Sequence, residues 1–319
     1  MTSSDKNCPV IFSHVDSHYF AKCLSAQLGL PCQMVETRPF SNGETYYRIP
    51  VDQAMELIGR DVILVCSTHS DEALLFFLRV GIQLASMGTR RRIFVCPFLG
   101  YSTMERSRFP GEVVTAKSNA ILFSSIPSLA SGNTFLFIDL HNQCLQHFLQ
   151  SCCALELYAE SVLRKAICSL NLDPDSFVMG SADLGRPLWL KSYANTFNVK
   201  MAFIDKSRNF ESIQVEHILG EVEGKSVVIF DDMIRSGSTA FSAADAYLSQ
   251  GAVAVYLVVT HFAISKEEVV DLIEASSFAK VIGTDSHPMS QLQQVKDSKK
   301  IEIVSVCEVF SEAVTQLLV

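Results

Sequence analysis

Apolar residues in this chain gather into short unbroken runs, and longer segments with apolar positions at helical spacing lie between the runs. The runs are Val10 to Phe12, Val62 to Cys66, Ile93 to Cys96, Phe135 to Ile138, Phe177 to Met179, Met201 to Ile204, Val227 to Phe230, Val253 to Val259 and Ile301 to Val306. A short run of β-branched and aromatic residues without a polar face reads as a strand covered on both sides, so these runs predict mostly parallel sheets. The segments between them predict helices over about 17–28, 72–87, 113–126, 154–169, 186–197, 239–250, 266–275 and 307–318. Strand and helix alternate throughout, which places the chain in the α/β class.

A length of 319 residues suits two domains better than one small core. One feature occurs twice: Ala85-Ser86-Met87-Gly88 leads into the run at 93–96, and Leu248-Ser249-Gln250-Gly251 leads into the run at 253–259. In each case a helix ends on Gly and a strand follows, which on its own is a common helix C-terminus. Each copy also has an earlier apolar strand, at 62 and at 227, followed by a helix. The expectation is therefore two similar α/β domains, 1–149 and 150–305, with the segment 306–319 completing the first.

Composition narrows the class. With 48% hydrophobic, 19% charged and 9% aromatic residues the chain is an ordinary globule, and disorder or a fibre is excluded. A formal net charge of −8 disfavours nonspecific nucleic-acid binding, which needs many phosphates neutralised. No run approaches the roughly 18 apolar residues that cross a bilayer, and Met1 to Lys6 has no signal-like pattern, so the expected location is cytoplasmic, away from membranes. The ten cysteines are scattered without a C-x-x-C, which points to reduced, mostly buried thiols and away from zinc or redox chemistry.

The most informative segment runs from Val227 to Thr239. Four apolar residues lead into Asp231 and Asp232, and Arg235-Ser236-Gly237-Ser238-Thr239 then turns into a helix. Ligands bind at that edge of an open α/β sheet. Backbone N–H groups of the turn and the helix N-terminus cradle a phosphate, the hydroxyls of Ser236, Ser238 and Thr239 add donors, and the acids accept from sugar hydroxyls. The structural alternative is an Asp-Asp turn with a Ser or Thr cap. Upstream, Gly220 to Ser226 imitates a Walker A loop, but it has three residues between its glycines and precedes a strand, so Glu223-Gly224-Lys225 reads as a turn.

These residues resemble the phosphate-binding motif of the type I phosphoribosyltransferase fold, and four further segments extend the resemblance over nearly the whole chain to the PRPP synthetase family. Phe40-Ser41-Asn42-Gly43-Glu44 looks like the family's ATP hairpin, Asp139-Leu140-His141 like its Asp-Leu-His strand end, and Ser181 to Gly185 with Asp183 like its second metal turn. Asp205-Lys206-Ser207-Arg208 is similar to its catalytic flexible loop. The resemblance implies transfer of a diphosphoryl group from ATP, with Mg2+, to the C1 hydroxyl of ribose 5-phosphate. It also implies a homo-oligomer, dimer or hexamer, whose active sites are shared between subunits.

The residues have their own reading beside the resemblance. Asp139 and His141, two apart on an extended strand end, project to one side and with Asp183 offer ligands to a magnesium carried by ATP, unless His141 is a hydrogen-bonded core residue. Lys206 and Arg208, also two apart, face one phosphate chain or form a solvated surface pair. Phe40 stacks on adenine and Glu44 accepts from its amino group, while Asn42-Gly43 is also a sound hairpin turn.

The chain departs from the family after Tyr101. Thr103 and Met104 stand where an Arg-Gln pair is usual, followed by Glu105 and Arg106 as the remaining candidates for nucleotide contact. Arg235 replaces the usual acid of the phosphate loop, adding a cation near the 5-phosphate or pointing to solvent. Two other functions stay open at this point: a regulatory homologue that binds a catalytic subunit, and a phosphoribosyltransferase that consumes PRPP.

Overall fold

The computed structural model describes residues 8–53, 55–128, 132–182, 187–209 and 212–319, with the backbone alone described over 206–209 and 212–216. The chain divides into two units, the first made of Met1–Tyr158 with Val306–Val319 and the second of Ala159–Ser305. Residue 158, rather than 149, closes the first unit because the segment Cys153–Leu157 is a strand of its sheet.

The first unit contains β1 (Val10–Ser13), α1 (His18–Leu28), β2 (Cys32–Met34), β3 (Glu36–Pro39), β4 (Thr45–Arg48), β5 (Asp61–Val65), α2 (Asp71–Ser86), β6 (Arg91–Cys96), α3 (Thr115–Ser124), β7 (Asn133–Ile138) and β8 (Cys153–Leu157). Its main sheet has the order β2-β1-β5-β6-β7-β8 and is parallel throughout, as the apolar runs require. Strands β5 and β7 are buried along their whole length, and Phe77, Phe94, Phe123 and Phe135 pack against one another to fill the core beside them. Strands β3 and β4 form a separate antiparallel hairpin.

The second unit contains α4 (Glu160–Cys168), β9 (Phe177–Ser181), α5 (Pro187–Phe197), β10 (Met201–Asn209), β11 (Ser212–Leu219), β12 (Ser226–Ile234), α6 (Ser238–Ser249), β13 (Ala254–Phe262), α7 (Glu268–Ala275), β14 (Phe278–Thr284), α8 (Gln293–Asp297) and β15 (Ile301–Val304). Its sheet runs β11-β10-β9-β12-β13-β14-β15, with only β10 and β11 antiparallel. The chain then returns to the first unit as α9 (Cys307–Leu318), which packs on α1 through Phe20 and Phe310, 5.4 Å apart edge to face.

The repeated helix-Gly-strand feature is a repeat of structure. In the first unit the amide of Gly59 donates to Gly88 at 2.9 Å, that of Arg60 to Leu57 at 3.1 Å and that of Arg90 to Arg60 at 2.8 Å. In the second unit Gly224 donates to Gly251 at 2.9 Å, Lys225 to Val222 at 3.1 Å and Val253 to Lys225 at 2.9 Å. The same bonds also make Glu223-Gly224-Lys225 a turn, so the Walker-like string serves sheet entry. All ten cysteines are free; Cys66, Cys96 and Cys307 are buried and the others partly or fully exposed, so the expectation of mostly buried thiols is corrected.

Candidate active site

In the second unit the phosphate loop is built by the end of β12 and the start of α6. Strand β12 continues through Asp231 and Asp232 to Ile234, so the two acids belong to the strand and alternate to opposite faces of the sheet. Asp232 is buried, whereas Asp231 is half-buried and its Oδ1 accepts the Asp232 amide at 2.8 Å, which leaves Asp231 as the acid facing the open edge.

Beyond the strand, Arg235, Ser236, Ser238 and Thr239 are exposed around a buried Gly237. Gly237 is the N-cap of α6 with φ 78°, and no side chain caps the helix. The first amides of a helix have no intrahelical acceptor, so this turn presents donors at the positive end of the helix dipole, the Ser238 amide also reaching Ser236 Oγ at 3.5 Å. Ser236 and Ser238 bring their hydroxyls to 3.1 Å of each other at its rim. Strand β10 carries Lys206 and Arg208 at the same, C-terminal, end of the parallel strands, two positions from β12 in the sheet. They pair across the ribbon with Val215 and Ile213, after a register shift between Asp205 and Lys206. Being two apart they share a face of the ribbon. Their side chains, and Asp183 entirely, lie outside the described residues.

In the first unit β7 ends at Ile138, and Asp139 has φ 42°. That left-handed backbone overturns the premise of an extended strand end on which Asp139 and His141 would alternate to one side. Strand β8 braces the turn: the Asp139 amide donates to Leu157 at 3.0 Å and the Leu140 amide to Glu156 Oε1 at 3.0 Å. Asp139 is buried and His141 half-buried. Among the described residues no three His, Cys, Asp or Glu side chains converge to hold a metal by themselves. A single carboxylate and an imidazole at one turn do fit an ion that arrives with phosphate oxygens and waters already in its shell, which is the habit of magnesium.

The predicted hairpin is present, with a longer turn than Asn42-Gly43 alone. The Phe40 amide donates to Glu44 at 2.7 Å, the Gly43 amide to Phe40 at 3.0 Å, and Gly43 has φ 87°. Asn42 fixes Glu44 from both sides, donating from Nδ2 to its carboxylate at 3.0 Å and accepting its amide at 3.1 Å. Phe40 is 47% exposed, held edge to face on Tyr46, with the Arg38 guanidinium 4.4 Å above the Tyr46 ring. After β6, Tyr101 has φ 62° and donates to Asp71 at 2.5 Å, while Glu105 and Arg106 pair with each other at 3.5 Å.

A cluster with no signal in the sequence lies beyond β1 and β5. His69 Nδ1 is 3.0 Å from the Ser67 carbonyl and Nε2 is 3.4 Å from Asp16 Oδ2, so both ring nitrogens face acceptors. Burial alone would lower the His69 pKa, but the bonds to Asp16 and Ser67 raise it, and the hydrogen bond from His69 lowers that of Asp16. His14, packed edge-on against Phe76 at 4.6 Å, is pushed down by burial. Its Nδ1 accepts the Asp16 amide at 3.3 Å. His14, Asp16, Ser67 and His69 are scattered over 14–69, and only the adjacency of β1 and β5 unites them.

Comparison with known proteins bears on both units. Residues 9–126 match the family model of the N-terminal domain of ribose phosphate pyrophosphokinase, and residues 196–318 match the phosphoribosyl synthetase-associated domain. The chain is 30% identical over 314 residues to a ribose-phosphate pyrophosphokinase of Fusobacterium nucleatum, covering 96% of this chain and 94% of that one. A ribose-phosphate pyrophosphokinase of Chlorobaculum tepidum is 29% identical over 299 residues, covering 93% and 88%. The crystal structure of phosphoribosylpyrophosphate synthetase from Mycobacterium smegmatis superimposes with a TM-score of 0.84 at 21% identity, covering 98% of this chain and 99% of that one. The fold expected from the sequence, two similar phosphoribosyltransferase-like α/β domains, is the fold found.

Proposed function

The chain belongs to the ribose-phosphate pyrophosphokinase family and is an enzyme that makes PRPP from ATP and ribose 5-phosphate, and we propose from that premise how its own residues do so. The observation that carries the assignment is the uncapped N-terminus of α6 behind Asp231, a phosphate cradle beside a single accessible acid. The 5-phosphate of ribose 5-phosphate sits on the Ser236–Thr239 turn, and Asp231 accepts from the ring hydroxyls. Asp232, buried on the opposite face, supports the strand.

The C1 hydroxyl oxygen then forms a bond to the β-phosphorus of ATP, giving up its proton to water, as the bond from that phosphorus to the α-β bridging oxygen breaks and AMP leaves in line. Lys206 and Arg208, on one face of the β10–β11 ribbon, stabilise the charge that develops on the transferred group. Arg235, exposed at the rim, adds a cation for the phosphate. The adenine stacks on Phe40, with Glu44, oriented by Asn42, accepting from its amino group. Glu105 and Arg106 contact the nucleotide from the loop after β6. A magnesium ion carried on ATP would be held by Asp139, His141 and Asp183, and when bound it neutralises phosphate oxygen charge.

The exposed Phe40 hairpin supports presentation of the ATP loop to a neighbouring copy, so a homo-oligomer with shared sites belongs to this reading. Ten free cysteines fit a reducing cytoplasm, and no helix among the described residues is long and apolar enough to cross a membrane. The test is AMP release from ATP by the purified chain, dependent on both ribose 5-phosphate and Mg2+. Absence of AMP from the chain alone, with activation of a catalytic relative on mixing, would replace this reading by that of a regulatory subunit.

A further inference from the structure

Tyr247 lies in α6, on the same helix whose first turn forms the phosphate cradle, and its side chain is completely buried. Its hydroxyl stands 2.8 Å from the Ser181 carbonyl and 3.1 Å from the Ala202 carbonyl, so one proton serves two acceptors. The Ser181 carbonyl is at the C-terminal end of β9, and the Ala202 carbonyl is at the start of the neighbouring parallel strand β10, beside Gly180. The first strand runs directly into Ala182 and Asp183, and the second runs through Asp205 to Lys206 and Arg208.

The space for the phenol is made deliberately. A Cβ on Gly180 would come within 3.4 Å of two Tyr247 ring carbons and 2.5 Å of the Val227 side chain, so glycine is required where helix and sheet meet. An apolar residue at 247 fills a helix-sheet contact without needing any partner, whereas a buried phenol must find one. Burial also keeps the hydroxyl protonated by raising its pKa, so it acts only as a neutral donor. The group is therefore placed to hold together three elements of this unit.

We propose that Tyr247 is a positioning residue that ties the ribose 5-phosphate helix to the C-terminal end of β9 and the start of β10, so that the phosphate cradle, β9 and the strand that carries Lys206 and Arg208 move as one body. This rests on the reading of the site given above. Occupation of the cradle then orders these two strand segments through the phenol, and the transferring groups are set only when the acceptor sugar is in place.

The experiment compares Tyr247→Phe, which keeps the ring and its packing, with the wild type. Calorimetry gives the affinity for ribose 5-phosphate, steady-state kinetics give kcat, and amide exchange is followed at 180–182 and 202–205 with and without ribose 5-phosphate. The expected result is a kcat lowered roughly tenfold with affinity within about twofold, the pattern of misplaced reacting groups. Ribose 5-phosphate should protect those strand segments in the wild type and fail to protect them in the variant. A variant with unchanged kcat and wild-type protection overturns the proposal, even if it melts at a lower temperature. So does a loss of exchange protection spread over the whole sheet with affinity and kcat falling together, which marks a merely structural phenol. If the wild type itself formed no AMP, the PRPP reading would fail, and the exchange experiment would still decide whether Tyr247 couples the cradle to the strands.

Discussion

Gly237 and Phe241 occupy the same space: a Cβ on the glycine would lie 2.5 Å from two carbons of the Phe241 ring, while the Phe241 amide donates to the Gly237 carbonyl at 2.8 Å. With φ at 78°, the position is closed to other residues twice over, by backbone and by contact. Gly237→Ala should cost about 1–2 kcal/mol of stability. By tilting the first amides of α6 it should also raise KM for ribose 5-phosphate roughly tenfold, about 1.4 kcal/mol of binding. Thermal melts with initial-rate kinetics check both, and an unchanged KM would remove the cradle from that role.

Lys206→Ala should lower kcat by about two decades or more while leaving ribose 5-phosphate affinity largely intact, because a cation acting on developing charge is felt in turnover. Lost affinity at constant kcat would make Lys206 a binding residue.

His141→Ala and Asp183→Asn should each shift the Mg2+ dependence of the rate to higher concentration, since each removes one protein ligand from an ion otherwise held by phosphate and water. The check is a magnesium titration at saturating ATP, with direct Mn2+ binding by paramagnetic resonance in the presence of ATP as a second readout. Unchanged curves in both variants would return His141 to a core role.

The Asp16–His69 pair carries a pH signature. The His69 pKa is raised, so its contribution is complete below its unfolded value of 6.5 and is lost as pH climbs through the folded value. The Asp16 pKa is lowered, so its contribution is present above 3.8 and is lost as pH falls through the folded value. His14, with its lowered pKa, works against the fold once the unfolded chain binds protons below 6.5. His69→Gln should therefore destabilise the fold more at about pH 6 than at about pH 9, by about 1 kcal/mol or less because Asp16 is half exposed, read from thermal melts at the two pH values. Equal losses at both pH values would show that the pair is not charged.

Strands covered on both faces were legible because nothing polar interrupts them, and β1, β5, β6, β7, β9 and β12 all stand where apolar runs place them. What escaped was half-covered. Strand β8 is partly exposed along its length and its Ala-Leu-Glu-Leu reads equally as the start of a helix, so the helix foreseen over 154–169 begins only at Glu160. Strands β11 and β14 carry polar residues within their spans and so made no apolar run. At the site, sequence identified residue types but not their directions. Nothing in Asp231-Asp232 announces that the strand continues and splits the two acids between faces, and nothing in Asp139-Leu140-His141 announces a left-handed Asp139. The Asp16–His69 contact and the reach of Tyr247 to Ser181 join residues far apart in sequence, and only strand order brings them together.

The return of α9 to α1 sets an order of events during synthesis. Phe20 is made before the second unit and its edge-to-face partner Phe310 after it, so the entire second unit is translated between them. The second unit is continuous in sequence and can close as soon as it emerges, whereas the first must wait with one flank of α1 uncovered. Of the two units, the one that begins first is thus finished last, and a nascent chain stalled before residue 307 would carry a folded acceptor-sugar unit and an ATP unit still open to chaperones.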